Sequence, residues 1–228
     1  MLSVIVPTFN ESENIKTIIH KISESMKAAK VTYDYEILVV DDNSPDGTAK
    51  LAAELRKEYP VRVLLRRNKK GLSSAVIDGF AHAKGDILCV IDADLSHPPA
   101  LIPKLVSQLD NYDIAVGSRL IKGGGAEEWP WHRRFISWSA QLLARPLTSV
   151  RDAMSGFFAV KKEVIKPVKL EAYGYKILLE VLVLGKYTRA TEVPFIFMNR
   201  THGQSKISLK VEIAYLKQLV HLYKKKFF

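Results

Sequence analysis

Cysteine is nearly absent from this chain: Cys89 is the single thiol in 228 residues. That excludes a disulfide framework and points to a reducing compartment. Its place in the apolar run Ile87-Leu88-Cys89-Val90-Ile91 makes it a buried, inert group and not a nucleophile. No stretch reaches the ~18 apolar residues of a spanning helix, so the protein is either soluble or lies on a membrane surface. The strand-like Leu2-Ser3-Val4-Ile5-Val6-Pro7 starts directly after Met1 and leaves no room for a signal peptide. Internal repeats and low-complexity linkers are missing too, which leaves one domain with a C-terminal appendage. Acid is short of base: 34 Lys+Arg against 24 Asp+Glu, a formal +10. Such an excess suits an anionic partner, be it nucleotide, nucleic acid or acidic lipid headgroup, and is also met on plain solvated surfaces. Hydrophobic content of 47% and charged content of 25% are ordinary for a globular protein, and the length allows a substantial core.

What is present is more telling. Two acid clusters, Asp41-Asp42 and Asp92-Ala93-Asp94, each end a short run of near-pure hydrophobics, Ile37–Val40 and Ile87–Ile91. Such runs predict strands buried on both faces of a parallel sheet, and the acids then fall at its carboxyl edge, where ligands of open α/β sheets bind. If strand geometry continues, Asp92 and Asp94 point the same way, a pair suited to a hard divalent ion with a phosphate-bearing ligand.

Along the chain, strands are predicted at Leu2–Pro7, Tyr35–Val40, Val61–Leu65, Ile87–Ile91, Asp113–Gly117, Phe157–Val160 and Val193–Phe197. Helices alternate with them. Ile15, Ile18, Ile19, Ile22 and Met26 mark the first, Leu51 and Leu55 the second, Val76 and Phe80 the third. Pro98-Pro99 opens one carrying Leu101, Leu105 and Leu109. This alternation predicts right-handed crossovers and a doubly wound sheet. The pattern breaks at Gly123-Gly124-Gly125. Beyond it come Trp129, Trp131 and Arg133-Arg134, then Phe135, Ile136, Trp138, Leu142 and Leu143 on one helical face. That stripe fits either core packing or a helix lying in a membrane interface. The segment from Leu209 to Phe227 is amphipathic and carries Lys224-Lys225-Lys226.

Seven ordered blocks carry a resemblance. They are Val6-Pro7-Thr8-Phe9-Asn10-Glu11, Val40-Asp41-Asp42-Asn43-Ser44-Pro45-Asp46-Gly47-Thr48, Gly71-Leu72-Ser73-Ser74-Ala75, Asp92-Ala93-Asp94-Leu95-Ser96-His97-Pro98-Pro99, Gly117-Ser118-Arg119, Ser155-Gly156-Phe157 and Arg200-Thr201-His202-Gly203-Gln204-Ser205-Lys206. Together they span nearly the whole chain. It resembles the inverting family 2 glycosyltransferases of the GT-A fold, in the dolichyl-phosphate mannosyltransferase branch. The resemblance implies a GT-A domain over 1–206, with an acceptor and membrane-interface insertion at about 123–147 and a basic amphipathic helix over 207–228. The implied reaction is metal-dependent transfer of mannose from GDP-mannose to dolichyl (polyprenyl) phosphate with inversion. It would take place at the cytoplasmic face of a membrane, by a peripheral protein, with an anchor or subunit beyond this chain also compatible.

Residue by residue, the resemblance assigns the donor to Pro7, Phe9, Glu11, Val40, Asp42, Asp92, Ala93, Asp94, Lys176, Arg200 and Lys206. It assigns the metal, Mg²⁺ or Mn²⁺, to Asp92 and Asp94, with Ser96 where some relatives carry Gln. Arg119 and Arg133 go to the acceptor phosphate and, with Asp94, to catalysis. The chemistry agrees. Carboxylates accept from ribose or guanine donors, and guanidinium forks suit phosphate oxygens. A phosphomonoester, with a second pKa near ~6, is already mostly dianionic and attacks without a base. Other readings remain for single residues: Glu11 as a helix-start acid, Phe9 as core, Asp152 as either a sugar-hydroxyl ligand or a turn residue, His97 as a turn residue. A relative using UDP-glucose on the same lipid is the rival within enzymes. A nucleic-acid module is the rival outside them, disfavoured because the basic residues fall at phosphosugar motifs.

Overall fold

The computed structural model describes residues 1–68, 71–127, 131–198 and 209–228, with the backbone alone for 131–136 and 209–212. In chain order its elements are β1 (Leu2–Thr8), α1 (Ile15–Ala28), β2 (Tyr35–Asp41), α2 (Thr48–Glu54), β3 (Val61–Leu65), α3 (Leu72–His82) and β4 (Ile87–Val90). Then follow α4 (Ile102–Gln108), β5 (Ile114–Ser118), β6 (Gly125–Ala126), α5 (Trp131–Ala144), β7 (Phe158–Lys161) and α6 (Lys162–Ile165). The chain ends through α7 (Ile177–Leu184), β8 (Ala190–Pro194), β9 (Ile196–Phe197) and α8 (Leu209–Phe227).

Strands of continuous apolar sequence have to be covered on both faces, because successive side chains point to opposite sides. That is what the structure shows. Ile5, Leu38, Val40, Leu88 and Val90 join one core with α3, α7 and α8. Val4, Val6, Ile37, Val39 and Cys89 join the other, against α1 and α4. The main sheet runs β3-β2-β1-β4-β7-β5-β8. Its first half is parallel, with Pro7 beside Val40 and Thr8 beside Asp41. The order reverses between β1 and β4, and the crevice at that switch point is where open α/β sheets bind ligands.

The strand expected at Phe157–Val160 is present as β7, which runs antiparallel between β4 and β5 in the mostly parallel sheet, with Phe158 opposite both Val90 and Val116. Its start, at Ser155-Gly156, therefore reaches the same edge as the ends of its parallel neighbours. Other expectations are corrected. The stretch Val193–Phe197 is not one strand: β8 ends at Pro194, and β9 pairs with β6 in a separate ribbon. Proline lacks the N–H that would continue the ladder. Pro98-Pro99 begins a short 3-10 turn, and α4 starts only at Ile102. The helix α7 had no counterpart in the sequence reading. A helix of eight residues, apolar except for Glu180, has no periodicity to declare itself, and Ile177, Leu178, Leu179, Val181 and Leu182 are all buried.

Candidate active site

The site is built at the carboxyl edge, and its loops are pinned before any ligand is considered. Asp41 accepts from Thr8 Oγ1 (2.8 Å), Ser44 N (2.8 Å) and Ser44 Oγ (2.7 Å). The loop from Asp41 to Thr48 then grips the end of β1. Asn10 N donates to Ser44 Oγ, Glu11 N to Thr48 Oγ1 and Ser12 N to Asp46 Oδ2, each at 3.0 Å. Much of that long literal block is therefore architecture.

Asp42 is placed differently. It accepts from Arg66 Nη1 and from Gly71 N, both at 2.7 Å. Arg66 is buried and also meets Ser74 Oγ (2.6 Å) and Asp78 (3.0 Å). Burial raises the Asp42 pKa, and the contacts to Gly71 and Arg66 offset this only in part. Arg66 was missed in the sequence, where it is one of two adjacent arginines with no pattern to mark it. Of the other donor-side residues, Pro7 is buried and Phe9 half-buried. Val40 is fully buried in the core. Glu11 accepts from Asn14 Nδ2 at 2.8 Å, in keeping with its helix-start role.

At the second cluster the strand ends at Val90, and a turn with Leu95 at φ +62° follows. Strand alternation therefore does not set the directions of Asp92 and Asp94. Asp94 is held by Ser96, from N (3.1 Å) and Oγ (2.5 Å). Ser96 thus orients Asp94. Asp92 is more open, 28% exposed at its side chain, and lies 3.5 Å from His97 Nδ1. Gly156 completes this corner: a Cβ there would sit 2.8 Å from Asp92 Oδ2. His97 is packed among Phe157, Phe195 and Phe197, with ring centroids 5.3 to 5.5 Å away. Burial lowers its pKa to about 4, so it is neutral. Ala93 is buried between the two acids.

Among the described residues no cluster of three or more His, Cys, Asp or Glu forms a complete metal cage. Two carboxylates at an open edge do fit Mg²⁺ or Mn²⁺, hard ions that take one or two protein carboxylates and complete their shell with phosphate oxygens and water.

Arg119 stands at the end of β5. Its Nε and Nη2 bind Asp152 at 2.8 and 2.7 Å, and its backbone N binds the same carboxylate at 2.9 Å. Burial alone would raise the Asp152 pKa, but the hydrogen bonds and charge of Arg119 hold it below the usual range. Asp152 also accepts from Gln141 Nε2 (3.1 Å), and its own N–H is fixed by Glu192 (3.0 Å). Its side-chain partners here are an arginine and an amide. The guanidinium of Arg119 lies 5.5 Å from the centre of the Phe197 ring. Lys176, just before α7, has Nζ 3.5 Å from Met154 O, and its charge reaches both His97 and Asp152. Arg133 lies in α5, but its side chain, with Arg200 and Lys206 entirely, falls outside the described residues.

A model of glycosyl transferase family 2 matches residues 3–168. The chain belongs to glycosyl transferase family 2. Its relatives include a Pyrococcus furiosus protein named dolichol-phosphate mannosyltransferase, 46% identical over 98% of this chain and 64% of that one. A Saccharomyces cerevisiae protein of the same name is 44% identical over 99% of this chain and 88% of its own length. This family 2 chain thus spans less than two thirds of the archaeal relative. Among solved structures it superposes on Mycobacterium tuberculosis glucosyl-3-phosphoglycerate synthase with a TM-score of 0.70, at 24% identity over 99% of this chain and 80% of that one. That likeness establishes the GT-A fold. The synthase has also been solved in complex with Mn²⁺, uridine diphosphate and glucosyl-3-phosphoglycerate.

Proposed function

We propose that this glycosyltransferase moves mannose from GDP-mannose to a polyprenyl (dolichyl) phosphate in a membrane, with inversion and with a divalent metal. The observation that carries the reading is the pairing, at one sheet edge, of the Asp92–Asp94 acids with an Arg119 fork clamped by a buried carboxylate. A donor diphosphate needs the first and an acceptor phosphate the second. The names of the relatives supply the sugar and the lipid.

Asp92 and Asp94 would hold the metal, with Ser96 orienting Asp94. When bound, a divalent ion neutralises diphosphate charge and eases departure of the nucleotide. Lys176, with Arg200 and Lys206, adds cations on the donor side. Arg119, whose Nε–Nη2 edge is held by Asp152, would bring its charge to the acceptor phosphate together with Arg133. None of these groups takes a proton, because the acceptor is already a dianion. The protein's work is placement and charge stabilisation.

The surface supports the lipid acceptor. Among the described residues no helix is long and apolar enough to cross a membrane. Yet Trp138, Leu142 and Leu143 of α5 and Ile213, Leu216 and Val220 of α8 are all exposed. Aromatic and aliphatic residues beside lysines fit a helix pair lying in a headgroup region. Calorimetric titration with GDP and with UDP in the presence of Mn²⁺ tests the donor. Tighter GDP binding is expected; equal or tighter UDP binding moves the enzyme to the UDP-glucose reading.

A further inference from the structure

The two helices with exposed apolar faces also reach inward, each through one buried glutamine. Gln141 of α5 is 5% exposed, whereas Trp138 and Leu142 on the same helix are 59% and 54% exposed. Gln218 of α8 is fully buried, on the face opposite exposed Leu216 and Val220. Each amide ends on a residue, or the partner of a residue, assigned to the candidate site. Gln141 Nε2 donates (3.1 Å) to Asp152 Oδ1, the same oxygen that takes Arg119 Nη2 at 2.7 Å. Gln218 Nε2 donates (3.0 Å) to the carbonyl of Lys176. The fit at Gln218 is close: a Cβ on Gly174 would fall 2.5 Å from its Oε1. The helices are also fastened to each other. Tyr215 OH donates to Ala140 O (2.6 Å) and Tyr223 OH to Leu143 O (2.9 Å), and Lys226 Nζ donates to Leu147 O (2.7 Å) in the turn that follows α5.

The chemistry of these glutamines argues for a purpose other than stability. Among the described residues neither Oε1 has a hydrogen-bond partner. A buried amide with an unmet acceptor costs free energy that an apolar side chain of like size would not. What the amide adds is a directed N–H.

We infer that Gln141 and Gln218 are positioning residues, through which the α5–α8 pair that faces the bilayer holds Arg119 and Lys176 in register. Bilayer-facing surface and phosphate-binding cations then form one mechanical unit. The inference rests on the mannosyl-transfer reading above.

The test uses Gln141→Met and Gln218→Met, which keep side-chain bulk and remove the donor. Steady-state kinetics with polyprenyl phosphate in vesicles is combined with calorimetric GDP binding in Mn²⁺ and with thermal melts. Gln141→Met is expected to raise the acceptor KM on the order of tenfold, the effect of one buried hydrogen bond, with GDP affinity unchanged. Gln218→Met is expected to weaken GDP by a similar factor with the acceptor KM unchanged. A merely structural role would lower the melting temperature without this split. Folded variants with wild-type constants, or with both constants moved alike, overturn the inference. Should a Met variant fail to fold, the Leu variant at that position replaces it, with the same split expected and the same result overturning it. Wild-type enzyme that transfers no mannose refutes the parent reading instead, and the GDP-binding arm at Gln218 still decides this one.

Discussion

At the scale of single residues, the carboxylates at the sheet edge divide by what already holds them. Asp41 and Asp46 are spent on loop geometry. Asp42 and Asp152 are matched to buried or half-buried arginines. Asp94 is held by Ser96 and Asp92 lies beside His97, and these two are the acids proposed above to hold the metal. Asp94→Ala is therefore expected to nearly abolish transfer while the fold survives, measured by activity against circular dichroism. Gly156→Ala gives a subtler test. Its Cβ would press on Asp92 Oδ2 at 2.8 Å, so the Mn²⁺ concentration needed for half-maximal activity should rise several-fold with little change in melting temperature, displacement of a placed group by a fraction of an ångström being costly to catalysis. An unchanged Mn²⁺ requirement would remove Asp92 from the site.

Asp152 makes a claim about stability. Removing one partner of a buried ion pair typically costs about 3–5 kcal/mol, and Asp152→Ala should approach the lower figure in urea melts because Arg119 keeps 13% exposure. Its folded pKa is depressed. Its contribution is thus fully present above the unfolded carboxylate pKa and is lost as pH falls through the folded value. Asp152→Asn should flatten the acid limb of the stability profile, and an unaltered acid limb would mean the pair contributes nothing.

At the scale of elements, the parallel half of the fold was legible because each apolar run is bounded by turn chemistry. β2 and β3 match the sequence reading to within a residue. The antiparallel β7 was recognised as a strand, but direction is a property of the sheet and not of the run Phe157–Val160. The candidate site divides in the same way. The acids at strand ends were readable from local pattern. Arg66, Gln141 and Glu192 were not, because each finds its partner only after folding, across 24, 11 and 40 residues. In α8, Ile213, Leu216 and Val220 point outward while Leu219 and Leu222 carry the packing. β4 supplies a separate check. Burial pushes the Cys89 thiol far up, so a colourimetric disulfide reagent at pH 8 should label the native protein negligibly and the urea-unfolded protein fully. Rapid native labelling would place β4 at an exposed edge.

At the scale of the whole molecule, the proposed membrane role rests on the formal charge of +10 and on the exposed apolar faces of α5 and α8. Basic residues near an anionic surface contribute on the order of 1 kcal/mol each, and the attraction weakens with salt. Liposome flotation should therefore recover the wild type with anionic vesicles at low salt and lose it as salt rises. A Trp138→Ser/Leu142→Ser double variant should float poorly throughout. Equal flotation of the two proteins would mean that α5 does not meet the bilayer.

The most direct measurement is transfer itself. Purified protein is given radiolabelled GDP-mannose or UDP-glucose, a polyprenyl phosphate in vesicles, and Mg²⁺ or Mn²⁺, with a parallel reaction in excess EDTA. The account predicts mannose on the lipid phosphate, little transfer from UDP-glucose, and none in EDTA. Full turnover in EDTA, or transfer from UDP-glucose equal to that from GDP-mannose, would contradict it.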